Sequence, residues 1–425
     1  MRIAEFWPAS RWTKIVLLVH PFGNANVRAV LEALHRSGML ARFVTTLGWS
    51  LESYPTLATR IRGKLRRNYA LPADKIDIHP LRESIRLLAG LLRLKGLSRH
   101  ETGWASIDQV WQSLDGEAAR RLRLGNYGRD LRAVYAYEDC AEQLFLTSRD
   151  LGLKRVYDLP IAYWETTRRL LREEAERYPD WEPTLGATRD SPEKTSRKTR
   201  EIELAEMVIC PSKFVLESLP PAARAQKRCL LVPFGSPHLD LANEGQQKNP
   251  SSPLRVLFAG ALTQRKGLAD LFAAMKMIDT GAIELVVMGS LLQPLDWYRD
   301  RFLNFTYEPP RPHRDVLQLM QSCDVFVLPS IVEGRALVQQ EAMACGLPLI
   351  ATRNAGGDDL IEEGVTGFLV PIRSPQAIAE KINWCAAHPS LISGMGIAAR
   401  QRAGEFTWNA YGETIVSAIR ELIGE

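Results

Sequence analysis

At 425 residues, with 46% apolar and 24% charged side chains, the chain has the composition of a globular protein and is too long for one ordinary core, so two domains are expected. No run approaches the roughly 18 uninterrupted apolar residues of a membrane span, and the opening MRIAEFWPASRWTK lacks the apolar centre of a secretory signal; a cytoplasmic protein is the expectation. Cys140, Cys210, Cys229, Cys323, Cys345 and Cys385 show neither Cys-x-x-Cys nor Cys/His metal spacing, so reduced and mostly buried thiols are expected.

The net charge of +5 is unevenly spread: residues 1–150 hold 23 Lys and Arg against 15 Asp and Glu, whereas residues 151–425 hold 31 against 34. The excess lies in clusters at Arg60–Arg67 (RIRGKLRR), Arg82–Arg99 and Arg120–Arg132, interleaved with Leu and Ile as in IRLLAGLLRLKGL. Two readings stand: solvated helix faces, or a peripheral docking surface for anionic lipid headgroups on the inner face of a membrane. Nucleic acid is not an expected partner, because no basic-aromatic platform or helix-turn-helix pattern accompanies the charge.

In chain order, Lys14–Val19 (KIVLLV) is a short β-branched apolar run and predicts a buried parallel strand. HPFGNAN, a helix over VRAVLEALHRSG and a strand over ARFVTT follow, which opens a βαβ unit. Its single loop glycine, Gly23, is not the three-glycine dinucleotide fingerprint, and a turn with positive φ explains it equally well. Residues 50–130 alternate helical and polar segments. AVYAYED predicts a strand, CAEQLFLTSRDLGL a helix, RVYDLPIAYW a strand with its exit, and Glu165–Pro179 a charged helix. The polar stretch 185–200 reads as a solvated loop, and Leu241–Pro253 (LANEGQQKNPSSP) as a linker, with a domain boundary near 240. Thereafter RVLFAG, IELVVMGS, NFTYEP, VFVLPS and PLIAT are strands alternating with helices, a second parallel sheet, and EFTWNAYGETIVSAIRELI is a closing amphipathic helix.

The chemistry concentrates at VFVLPSIVEGRALVQQEAMACGLPLI (325–350): a buried strand, a loop, a helix from about Arg335 to Cys345 ending at the C-cap Gly346, and another strand. Glu333 lies in the loop and Glu341 eight residues on, about two turns inside the helix. Free amides of the first turn, Arg335 to Val338, suit a phosphate. A ligand with hydroxyls at both ends and phosphate between them fits this layout, as a nucleotide sugar does. Arg265 and Lys266 follow a buried strand and emerge at its carboxyl end, where they can neutralise a diphosphate.

Glu, seven residues, Glu, then A-M-A-C-G-L-P resembles the donor-site motif of retaining glycosyltransferases of family 4 (glycosyl transferases group 1). The resemblance implies an α/β protein of the GT-B fold: two Rossmann-like parallel-sheet domains facing across a cleft. Residues 1–240 would form the acceptor-side domain, 241–405 the nucleotide-sugar domain, and 406–425 a helix crossing back onto the first. It assigns Glu333 to donor-sugar hydroxyls, Glu341 to the ribose, and Gly334, Arg335, Ala336, Leu337 and Val338 to backbone contact with phosphate. Gly260 and Gly289 would let backbone approach the donor, Tyr307 to Arg311 would frame the base, and Lys266 with Arg265 would act on the leaving diphosphate. Gly23 and Asn24 fall in the first cleft loop, and His20 is the best placed of seven histidines. The sequence departs from the family at Ala261, where Arg is common, at Arg335-Ala336, where Phe-Gly is usual, and at Pro160, where a cleft histidine is common; Asp158, Tyr163, Glu138 or Asp139 could line the cleft instead. No Asp-x-Asp occurs, so neither a metal nor another cofactor is expected. The expected activity is hexosyl transfer from a nucleotide-diphosphate sugar to a glycan or lipid-linked glycan, in surface polysaccharide synthesis. The alternatives are a phosphorylase or epimerase of the same fold and a nucleotide-sugar-binding protein without catalysis.

Overall fold

The computed structural model describes residues 15–51, 67–237, 253–278 and 280–424. The expected boundary near 240, most of the linker, and Arg60–Arg66 of the first basic cluster lie outside these residues. Seven parallel strands form the first sheet: β1 (Val16–Val19), β2 (Leu40–Thr45), β3 (Ile76–Ile78), β4 (Ala133–Tyr137), β5 (Lys154–Asp158), β6 (Met207–Cys210) and β7 (Arg228–Leu231). Their order is β3-β2-β1-β4-β5-β6-β7. Every residue of β1 is buried, because Val16 and Leu18 face one helix layer while Leu17 and Val19 face the other. That two-sided burial is why the run is uninterrupted rather than alternating.

The second sheet repeats the arrangement with β8 (Leu254–Ala259), β9 (Ile283–Met288), β10 (Thr306–Glu308), β11 (Val325–Leu328), β12 (Leu349–Ala351) and β13 (Gly367–Leu369), in the order β10-β9-β8-β11-β12-β13. In both sheets the order reverses beside the first strand, and the crevice at that switch point is where ligands of such sheets bind. The expected two Rossmann-like domains are present. The closing helix, Trp408–Leu422, leaves the second domain and buries Tyr411, Ile415 and Ile419 in the core of the first, against helix Ala25–Arg36.

The reading of residues 185–200 as a solvated loop is overturned. Pro192–Leu204 is a helix, capped by Ser191, whose cations turn inward onto carboxylates. Lys194 meets Asp108 at 2.9 Å, Arg197 meets Asp139 at 3.0 Å and Lys198 meets Glu138 at 3.1 Å. All six cysteines are free thiols, five of them buried.

The domains also interlock. Trp181, which precedes the expected boundary by many residues, is buried in the core of the second domain. From the same segment, the Thr184 carbonyl accepts from Thr263 Oγ1 at 2.7 Å, and Glu174 accepts from Gln264 Nε2 at 2.6 Å. Gly412 sits where the crossing helix meets helix Ala25–Arg36, and a Cβ there would lie 2.6 Å from the Ala29 carbonyl oxygen. Gly412→Val is therefore expected to destabilise the protein by about 1–3 kcal/mol in chemical denaturation, the usual cost of overpacking. Gly116→Ala, in a half-buried helical position with open space around a Cβ, should stabilise by about 0.5–1 kcal/mol.

Candidate active site

A cleft of about 1100 Å³ lies between the carboxyl edges of the two sheets. From the first domain come Phe22 to Asn26 after β1, Tyr137 at the end of β4, and Pro160 after β5. Gly260, Lys266, Glu333, Arg335 to Val338 and Glu341 line it from the second. Residues 310 apart in sequence thus share one solvent-facing space because both switch points open toward it.

At its centre Glu333 holds two cations. Lys266 Nζ lies 2.5 Å from one carboxylate oxygen, and Arg265 Nη1 lies 2.9 Å from the other. Burial alone would raise the Glu333 carboxyl, but the charges of Lys266 and Arg265 outweigh it and hold the group down to about 2. Two cations against one carboxylate leave a surplus positive charge facing the cleft. Arg265 is further tied to its own loop, donating to the Val332 carbonyl at 3.0 Å, and only Lys266 of the two lines the cleft. Gly260 and Gly289 serve this arrangement sterically. Gly260 adopts φ +143°, and a Cβ there would press on the Lys266 stem at 2.9 Å; a Cβ on Gly289 would overlap the Gly260 carbonyl. Gly260 borders the cleft, whereas Gly289 packs behind it, so the expected approach of Gly289 to a ligand is replaced by approach to a neighbouring strand end.

The motif helix begins two residues later than its sequence suggests, spanning Leu337–Ala344 after the extended Ala336, and Gly346 ends it at φ +84°. Glu341 therefore stands a little over one turn from the helix start rather than two, about 6 Å along the axis. The amides of Leu337 and Val338, first in the helix, have no intrahelical acceptor, and both residues line the cleft. Gly334 and Arg335 are drawn elsewhere. A Cβ on Gly334 would lie 1.7 Å from the Pro160 carbonyl oxygen, and its own carbonyl accepts from Ser212 Oγ at 2.6 Å. The Arg335 side chain is wholly buried, donating from Nε to Gln340 and stacking on Phe406, with Asp359 3.6 Å from Nη1. Both residues thus build the domain junction.

Asn24 and Gly23 line the cleft as expected. His20 does not. It is 1% exposed, its Nδ1 accepts from the Phe22 amide at 2.9 Å, and its ring packs edge-on against Tyr137. Burial pushes its imidazole down to about 3, with the Arg67 charge adding to the effect. Tyr307 and Arg311 also stand outside the lining: Tyr307 donates to the Gly289 carbonyl at 2.9 Å, and Arg311 pairs with Glu308. Of the substitutes for the missing cleft histidine, none borders the cleft. Asp158 is buried beneath it, accepting from Tyr135 at 2.8 Å and Asn26 at 3.1 Å, and burial raises it to about 7. Tyr163, Glu138 and Asp139 are buried within the first domain.

Several lining residues carry no sequence signal. Arg28 donates to the Gly23 carbonyl at 2.8 Å and so shapes the first loop. Arg67, which belongs to a cluster read as exposed charge, is instead buried against Glu83 at 2.9 Å and stacks on Phe22. His313 stands 3.7 Å from Glu341. Trp408 enters from the crossing helix.

Residues 242–402 match the family model described as "Glycosyl transferases group 1". A Salmonella typhimurium glycosyltransferase provisionally named for colanic acid biosynthesis is 27% identical over 190 residues, 41% of this chain and 47% of its own. The chain spans about half the length of the curated relatives it matches. Over the whole fold, sucrose-phosphate synthase of Thermosynechococcus elongatus superposes with a TM-score of 0.67 at 17% identity, covering 96% of this chain and 99% of that one. Anabaena HepE, solved in complex with UDP, gives 0.61 at 16% identity over 96% and 100%. The two-domain arrangement is thus that of the GT-B fold, and the lining from Gly260 to Glu341 lies inside the residues that match the family model.

The buried ring beneath the cleft has a measurable consequence. Folded, His20 stays neutral down to about pH 3, whereas in the unfolded chain it takes up a proton near pH 6.5. The stability it contributes is full above that pH and is lost as the pH falls from 6.5 toward 3. Asp158, raised to about 7, acts in the opposite sense, so the difference between variants is the quantity to measure. Between pH 6.5 and 4.5, denaturation of His20→Phe should show a shallower acid loss than the wild type by about 1.4 kcal/mol per pH unit; parallel curves would show that the ring is not held neutral.

Proposed function

We propose that this chain is a retaining glycosyltransferase that moves a hexose-type sugar from a nucleotide-diphosphate sugar to a glycan or lipid-linked glycan. One observation carries the reading: Lys266, Glu333, the amides at Leu337 and Val338, and Glu341 meet along one wall of a single interdomain cleft. The spacing matches a donor laid across that wall. Glu341 takes the ribose hydroxyls, the helix amides and Lys266 take the diphosphate, and Glu333 reaches the sugar. Arg265 acts through Glu333 by holding the carboxylate in place.

Cleaving the bond to the departing diphosphate leaves positive character on the sugar and growing charge on the leaving oxygen. Lys266 answers the second, and the ionised Glu333 sits where it can answer the first. The acceptor hydroxyl enters from the first domain, past Asn24 and Tyr137, on the face from which the leaving group departs. Positive charge for the diphosphate comes from side chains and helix amides, so no metal is assigned a role. The solved Anabaena neighbour with UDP supports a uridine donor as the first to test, and the name of the Salmonella relative supports an acceptor in surface polysaccharide synthesis. A lipid-linked acceptor would be met at the cytoplasmic face of a membrane; no described helix is long and apolar enough to cross one.

Calorimetry with UDP-, GDP-, ADP- and dTDP-sugars tests the reading, followed by transfer or hydrolysis with whichever binds. Glu341→Ala should weaken donor binding by about 1–3 kcal/mol while the melting curve is retained, and unchanged affinity would sink the ribose assignment. Lys266→Met should lower turnover more than affinity, because leaving-group charge grows toward the transition state. A raised KM with intact kcat would confine Lys266 to ground-state binding. Turnover should survive excess chelator; loss that Mg²⁺ or Mn²⁺ restores would contradict the assignment of charge to Lys266 and the helix amides. Donor binding with no turnover on any acceptor would leave a sugar-nucleotide-binding protein.

A further inference from the structure

Eighteen large apolar side chains stand exposed among the described residues, and ten of them fall between Ile78 and Leu124. Six are leucines in one short segment. Leu81, Leu88 and Leu91 lie on helix Leu81–Leu91 at intervals of seven and three residues, which places them along one face, and Leu92, Leu94 and Leu97 continue the stripe through the following turns. Leu91 is 81% exposed. The opposite face carries the contacts that hold the helix down: Glu83 is fully buried and takes both Arg67 and Arg86, and Ala89 is buried. The outward stripe therefore is not a frayed end; it belongs to a helix anchored by its other side.

The basic residues separate in the same way. Arg120 and Arg121 are spent on Glu117 and Asp77, Arg86 on Glu83, and Arg82 donates to Gln109 and stacks on Trp104. Arg93, Lys95 and Arg99 are exposed and have no ion-pair partner among the described residues. These three cations thus place unneutralised charge within the same few residues as the exposed leucines. Apolar side chains flanked by free cations, on a helix lying along a surface, match an interface with negatively charged headgroups over hydrocarbon. A protein partner would need complementary carboxylates and would bury the leucines equally well, but the three cations fall between and beyond the leucines, as headgroups above acyl chains require.

We propose that the leucine stripe of helix Leu81–Leu91 and the basic turn through Arg99 dock the protein peripherally on an anionic lipid bilayer. The proposal deepens the reading of a lipid-linked acceptor and takes its purpose from it. The stripe lies on the first domain, which supplies the acceptor side of the cleft. Binding at this one segment is reversible and salt-sensitive, because three charges and a shallow row of leucines do not amount to an anchor.

Sedimentation of the full chain with phosphatidylcholine vesicles, with and without phosphatidylglycerol, tests it. The wild type should bind the anionic vesicles at low salt and leave them at high salt. Arg93→Gln, Lys95→Gln and Arg99→Gln should each weaken binding roughly fivefold at low salt, and the triple change Leu88→Ser, Leu91→Ser, Leu92→Ser should abolish it. Leu151→Ser, at an exposed leucine elsewhere, should change nothing. The substituted side chains are exposed, so unchanged melting curves and unchanged nucleotide-sugar binding are expected in every variant. Failure to bind anionic vesicles at low salt, binding that ignores the leucine changes, or concentration-dependent dimerisation abolished by those changes would each overturn the proposal. Nucleotide-sugar calorimetry on the same preparations reads the functional assignment separately, so either can fail alone.

Discussion

The cleft depends on one half-buried carboxylate. Glu333 takes Lys266 on one oxygen and Arg265 on the other, and these cations come from the loop after β8 while Glu333 comes from the loop after β11. An unpaired charge at this depth would cost several kcal/mol, so each partner is fixed by the need of the others. The pairing brings the two loops together at the switch point and leaves one net positive charge facing the cleft. Without it Lys266 would be a flexible surface cation; with it, the ammonium is held on the wall of the cleft.

The same loop is fastened to the first domain. Gln264, adjacent to the two cations, is wholly buried and donates to Glu174 and to Asp270, while Thr263 reaches the Thr184 carbonyl. On the other side of the cleft Gly334 presses against Pro160, and Gln340 donates to the Phe234 carbonyl at 2.6 Å. The groups assigned to the donor are therefore positioned by contacts that also set how the domains sit. Pro160, which stands where the family resemblance leads one to expect a histidine, has its carbonyl committed to that junction.

The sheets were legible because fully buried parallel strands have to be uninterrupted apolar runs, as at Val16–Val19 and Val325–Leu328. The lining residues from Gly260 to Glu341 were legible because the motif is local: one strand, one loop, one helix. Long-range charge pairing left no such trace. Helix Pro192–Leu204 reads as a solvated stretch because a lysine paired with a distant carboxylate looks like a lysine in water, and the partners of Arg197 and Lys198 lie near residue 139. Arg67 was misread for the same reason. The start of the motif helix shifted because Gly334 and Arg335 are pulled into the domain junction, and Tyr307 and Arg311 turned to neighbours that a single sequence does not place beside them.

The central assignment is that Glu333 holds the cations a diphosphate must share. Removing the carboxylate while keeping its shape should then free them, so the most direct measurement is UDP affinity by calorimetry in the wild type and in Glu333→Gln. The expected result is binding about tenfold tighter in the variant, the scale of one charge-assisted contact regained, together with lost sugar transfer. Equal or weaker UDP binding by a variant that keeps its melting curve would contradict the assignment.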